Sequence, residues 1–393
     1  MVGRLIVSIL IAVSGAVSAQ DLKKYYLPAD PLVGEVHFIE KGCDKCHSIE
    51  SHGGGFGPDL ARSDFNRSLL DILSMMWNHS PQMHNMMDDL KIGYPGLSEK
   101  EMAELAAYLY FLAYFDRPGD IAEGRRAFSS KKCDSCHRMG GIGQRIGPDL
   151  SSIKKYVSPI FLAQEMWNHG PAIKEKMDEL NVSWPLFEGE EISNLMAFLR
   201  DASTDTTSER AFMQPGNPQI GEKLFQKKKC TTCHLVFGTG TRVGPDLTQS
   251  TFHKSVTSIA AIMWDHGPTI WRKMEENDLG IPTFEGNEMA DLTAYLYFLR
   301  FFEKNTDISK GELLFNQKGC RNCHHFGPAS VEGSHSLSAG DPNRSKIGRA
   351  ADMWNHAEDM SRTMTGKKIE WLPFRNGELN DLIEYIIDQN KKR

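Results

Sequence analysis

What this sequence lacks narrows its reading before any motif is considered. Outside four short C-x-x-C-H stretches it has no cysteine, so none of its eight is left over for a disulfide framework. It has no strong excess of either charge. A net charge of −6 offers no basic face of the kind a phosphate backbone requires, which sets nucleic acid aside as a partner. After Ala19 no apolar run is long enough to span a bilayer, so no integral membrane span is expected in the mature chain. No stretch reads convincingly as a strand. With 40% apolar and 24% charged residues the composition is ordinarily globular, and 393 residues leave room for several compact units, two to four of them.

The one long apolar run stands at the N-terminus. Arg4 precedes LIVSILIAVSGAVSA, which runs from Leu5 to Ala19 and is short for a membrane span. It ends in Val17-Ser18-Ala19, small at the positions signal peptidase reads. Residues 1–19 are therefore expected to be a signal peptide cut before Gln20, and no cysteine follows to take a lipid. An exported protein is predicted, periplasmic, with an extracellular location as the alternative.

The four cysteine-bearing stretches are copies of C-x-x-C-H: Cys43-Cys46-His47, Cys133-Cys136-His137, Cys230-Cys233-His234 and Cys320-Cys323-His324. Their near-regular recurrence, with only the step from Cys133 to Cys230 slightly longer, is the mark of a repeated module. Each copy opens on Gly-x-x-x-Phe (Gly34/Phe38, Gly124/Phe128, Gly221/Phe225, Gly311/Phe315), whose two residues share one helix face. Gly-Pro-Asp-Leu follows the histidine in three copies, at Gly57–Leu60, Gly147–Leu150 and Gly244–Leu247; the fourth has Ser334-His335-Ser336-Leu337. A helical stretch then runs through Met-Trp-Asn/Asp-His, and Pro81, Pro171 and Pro268 are expected to break it. Each copy closes on an amphipathic helix such as EMAELAAYLYFL at 101–112. The expected fold is all-α, in four tandem modules: 20–117, 118–202, 217–304 and 305–393, with a linker at 203–216. Modules 1 and 3 end in Tyr-Leu-Tyr-Phe-Leu and continue through Tyr114-Phe115 and Phe301-Phe302. Those aromatics suggest two tightly docked pairs, modules 1 and 2 and modules 3 and 4, joined by a Ser/Thr/Pro-rich hinge between modules 2 and 3.

C-x-x-C-H attaches haem: two thiols add to the vinyl groups, and the adjacent imidazole takes an axial position on iron. Two C-x-x-C halves could instead build a four-cysteine zinc site, but that leaves four histidines unexplained. Four copies therefore predict four covalently bound c-type haems. The other axial ligand is open, because three columns repeat at fixed spacing from the motif histidine. The first column, at +29, is Met76, Met166, Met263 and Met353. The second, at +32, is His79, His169, His266 and His356, and the third, at +40, is Met87, Met177, Met274 and Met364. Trp77, Trp167, Trp264 and Trp354 read as packing, and His52, His84, His253 and His325, each in one copy only, have no assigned role.

Taken together, each copy resembles a class I cytochrome c domain: a Gly/Phe helix, C-x-x-C-H, a Gly-Pro-x-Leu loop, a downstream Met and a last helix with a Tyr-Leu-type pair. The resemblance implies a small helical fold around one haem, with the Pro58, Pro148 and Pro245 carbonyls orienting the proximal imidazoles. It implies a methionine as sixth ligand, placed after a Pro-containing break and about a dozen positions before the acidic start of the last helix. Met87 stands that far before Glu99, and Met177 that far before Glu190, which favours Met87, Met177, Met274 and Met364. The implied function is electron transfer between redox proteins, without substrate chemistry. The alternatives are a haem enzyme (a peroxidase or reductase subunit) with an open iron in module 4, and a subunit of an extracellular cytochrome wire.

Overall fold

The computed structural model describes residues 28, 30–63, 65, 67–112, 114, 119–152, 159–203, 216–249, 255–299, 301, 306–327, 334–338, 341 and 343–392. The expected signal peptide, Phe115, Phe302, His253 and residues 204–215 of the linker lie outside them. The fold is all-α, with three α-helices to each module among the described residues. Module 1 has α1 (Val33–Glu40), α2 (Leu69–Leu90) and α3 (Glu99–Leu112), and module 2 has α4 (Ile121–Ser130), α5 (Pro159–Glu179) and α6 (Glu191–Asp201). Module 3 has α7 (Pro218–Lys227), α8 (Val256–Glu276) and α9 (Glu288–Phe298); module 4 has α10 (Ile308–Gln317), α11 (Lys346–Gly366) and α12 (Glu378–Lys391). No helix among the described residues is long and apolar enough to cross a membrane.

Each module is closed by its first helix crossing its last: α1 on α3, α4 on α6, α7 on α9 and α10 on α12. The glycine of Gly-x-x-x-Phe makes this crossing close. A Cβ at Gly124 would fall onto the Asn194 carbonyl, and one at Gly221 onto the Asp291 carbonyl. The phenylalanine one turn on is buried beside an aromatic of the last helix, as Phe38 is beside Tyr108. A lysine two positions before the first cysteine ties the same crossing. Lys41, Lys131, Lys228 and Lys318 each pair with a glutamate of the last helix at 2.7–3.0 Å. Each also donates to a carbonyl of the loop that precedes that helix.

The structure differs from the sequence reading in three places. Short strands exist: β1 (Ser48–Ile49) with β2 (His52–Gly53), β3 (Leu235–Val236) with β4 (Thr239–Gly240), and β5 (His324–His325) with β6 (His335–Ser336). Such strands are too short to show an alternating pattern. The prolines do not break the long helix, since α2, α5 and α8 run on through Pro81, Pro171 and Pro268. A helical proline strands the carbonyl one turn earlier. Ser80 Oγ donates to the Trp77 carbonyl at 2.9 Å and Trp184 Nε1 donates to that of Trp264 at 3.2 Å, so two of the three stranded carbonyls are served.

The third difference is the docking. Helix α5 packs on α8 and α2 on α11, which pairs module 2 with 3 and module 1 with 4. Modules 1 and 3 meet through their aromatic last helices. Tyr110 Oη donates to the Tyr297 carbonyl at 2.8 Å, and Tyr297 Oη donates to the Tyr110 carbonyl at 2.9 Å. The free N-terminal amides of α2 and α8 are served across the same junction: Leu69 N by the Phe301 carbonyl at 2.8 Å and Val256 N by that of Tyr114 at 2.9 Å. The aromatics therefore dock modules 1 and 3 on each other, not each on its successor in sequence. An aromatic face specifies burial without naming its partner, and two copies of one face satisfy each other.

Candidate haem sites

In every module the first three residues of C-x-x-C-H form a single 3-10 turn, entered from a left-handed residue: Gly42, Lys132, Lys229 or Gly319. In modules 1 to 3 the turn closes with the His47, His137 and His234 amides on the carbonyl of the first cysteine at 2.8–2.9 Å. This brings two sulfurs and one imidazole together on a single compact turn, the disposition haem attachment needs. All eight cysteines are free. Burial pushes the Cys43 thiol up to about 11 and Cys133 up to about 12. Among the described residues no cluster of three or more His, Cys, Asp or Glu could hold a metal ion by itself.

The C-x-x-C-H histidines are held alike in three modules. His47, His137 and His234 each donate Nδ1–H to a proline carbonyl at 3.1 Å: Pro58, Pro148 and Pro245. A carbonyl only accepts, so the proton sits on Nδ1 and the Nε2 lone pair is free for iron. The glycine before each proline lies against the ring. A Cβ at Gly57 would stand 2.5 Å from His47 Nδ1, and one at Gly147 would stand 2.6 Å from His137 Cε1.

Module 4 departs. The amide bonded to the carbonyl of the second cysteine belongs to Gly57, Gly147 and Gly244 in the first three modules but to His335 in the fourth. An imidazole thus grows from the backbone position that is otherwise glycine. His335 lies 6.0 Å from the His324 ring and 6.3 Å from that of His356, centroid to centroid. His324 Nδ1 is buried without a partner. Burial, then His335 and His356, lowers the His324 pKa below its ordinary value. A cavity of about 640 Å³, reached by Cys320, Cys323 and His324, opens here, and module 1 contributes Trp77 to its wall. The donor set and the space fit a haem.

The three candidate ligand columns all lie on the long helices. Met76 and Met353 share the seam between α2 and α11 with Trp77 and Trp354, as packing residues should. His79, His169 and His266 are exposed, as is His356. In the third column Met177 and Met274 are buried, while Met87 and Met364 are half-buried.

Sequence reasoning missed what the rest of Met-Trp-Asn/Asp-His does. The tryptophans clasp the partner module: Trp354 donates to the Pro95 carbonyl, Trp167 to that of Pro282 and Trp264 to that of Pro185, at 2.8–2.9 Å. The asparagines beside them make two bonds each, as Asn168 does to the Phe284 carbonyl and amide at 2.8 and 2.9 Å. Their recurrence next to a histidine was visible; the surface they face was not. The lysine two positions before each first cysteine has an equally fixed offset, but its partners on the last helix lie about 60 positions away in sequence.

No solved structure matches the chain. Residues 121–203 and 218–299, which carry modules 2 and 3, each match the family model Cytochrome c. That match supports haem binding and electron transfer as what these modules do.

Proposed function

We propose that the chain is an exported tetrahaem c-type cytochrome that passes electrons between redox proteins outside the cytoplasmic membrane. The observation that carries this reading is the fourfold return of one built site: a C-x-x-C-H turn that sets a histidine beside two free sulfurs. Cys43, Cys46 and their six counterparts would hold the haems by thioethers, and His47, His137, His234 and His324 would be the proximal ligands. Haem supplies reversible one-electron chemistry. The chain supplies position: the Pro58, Pro148 and Pro245 carbonyls orient the proximal rings, and the packed modules fix each site relative to the next. The docking order 2–3–1–4 supports a relay along that order. Donor and acceptor would be other redox proteins.

The test is a covalent haem count on the purified exported protein, by pyridine haemochrome and intact mass, with N-terminal sequencing. Four haems and a chain beginning at Gln20 are expected; fewer than four would refute the tetrahaem reading. A second reading, one reactive iron in module 4, is favoured by the unlocked His324 and the cavity around it. Rapid carbon monoxide binding to one haem in four of the native protein, with a rate or affinity that His335→Ala or His356→Ala alters, would support it.

A further inference from the structure

Resting on that haem reading, we infer that a second imidazole completes the iron in modules 1, 2 and 3, from His79, His169 and His266. Met87, Met177 and Met274 are then packing residues. The first ground is the state of these rings. His79 donates Nδ1–H to the Met75 carbonyl at 2.7 Å, and His169 and His266 donate to the carbonyls of Glu165 and Ile262 at 2.9 Å. Each bond spans one helical turn, fixes the ring and leaves the Nε2 lone pair outward. This is the preparation the proximal histidines receive from their prolines, and it is the support a ligating imidazole generally has.

The second ground is place along the helix. Because the long helices run unbroken through their prolines, no loop carries the later methionine back toward the middle of the site. His169 and Met177 are separated by about 12 Å of helix, so one iron cannot face both. Helix α11 shows where the middle lies. It lines the module 4 cavity from Arg349 to Met364, with Lys367 just past its end, and His356 stands near the centre of that stretch. Met364 stands at the far end of the same stretch. The third ground is burial: Met177 and Met274 are each 7% exposed, enclosed already by protein. The thioether implied by the family resemblance therefore gives way to a helix-borne imidazole, which lowers the expected potentials relative to His/Met ligation.

The experiment is absorption, near-infrared magnetic circular dichroism and spin-resonance spectroscopy on the intact ferric protein, with a parallel covalent haem count. Bis-imidazole signals from three haems are expected, with no sulfur-to-iron charge-transfer band that Met87→Ala, Met177→Ala or Met274→Ala diminishes. His169→Ala should convert one haem to a form that takes up added imidazole, while Met177→Ala leaves the ligand-field spectrum unchanged. A sulfur band in the native protein that Met177→Ala diminishes would overturn the inference and leave the haem reading standing. A chain with no covalent haem would overturn both. Should His169→Ala fail to accumulate, the native spectrum and Met177→Ala still decide.

Discussion

At the scale of single residues, the junction of modules 1 and 4 contains an unsatisfied polar pair. His84 is buried with both ring nitrogens unbonded, and its ring meets Tyr94 edge-on at 4.1 Å. The Tyr94 hydroxyl is also buried without a partner while its ring stacks on Trp354 at 4.8 Å. An unsatisfied buried polar group costs about 1–3 kcal/mol. Tyr94→Phe should therefore stabilise the protein by about 1 kcal/mol, read as a higher urea midpoint. Burial lowers the His84 pKa, with Glu358 and Asp88 opposing and Arg362 reinforcing. A folded pKa below the unfolded one means that the unfolded chain binds the proton more readily. Stability is thus lost as pH falls through the ordinary histidine range. Thermal unfolding at several pH values should show that loss shrinking in His84→Leu.

Among elements, the long helices carry most of the architecture. One helix carries an exposed histidine beside the tryptophan and asparagine that grip another module. The grip is weakest at Asp265, which takes the asparagine position and only accepts, from the Phe187 amide at 3.0 Å. Asn78, Asn168 and Asn355 also donate to the facing carbonyl at 2.7–2.8 Å. Asp265→Asn should add the missing bond and raise stability by about 1 kcal/mol. Asn168→Ala should do the reverse, leaving a buried amide and carbonyl unpaired at about 2 kcal/mol or more. Equilibrium unfolding of both variants, followed by tryptophan fluorescence, checks the opposite signs.

Over the whole molecule, the contacts are related by an approximate exchange of module 1 with 3 and 2 with 4. Tyr110 and Tyr297 lie near its axis, and each bonds the other's backbone, as self-complementary contacts do. Residues 118–304 hold modules 2 and 3 with their mutual grip, so that fragment should form a compact pair. A radius of gyration of about 16 Å is expected for a single compact body of that length. Residues 20–202 hold modules 1 and 2, which lack a comparable interface among the described residues, and should scatter as two separated bodies. Small-angle scattering on the two loaded fragments distinguishes them. Equal compactness would contradict the docking order.

The sequence by itself determined the module. Four C-x-x-C-H copies, the Gly/Phe pair and the last helix were legible because local spacing sets which residues share a turn or a helix face. The proline at the loop and the glycine before it belong to the same class. Tertiary structure alone decided which modules meet, because identical aromatic faces carry no address. It also decided the course of the long helices, where proline argues for a break. Their stranded carbonyls at Trp77 and Trp264 find donors in Ser80 and in Trp184 of a different module, and no local pattern could supply the second of these.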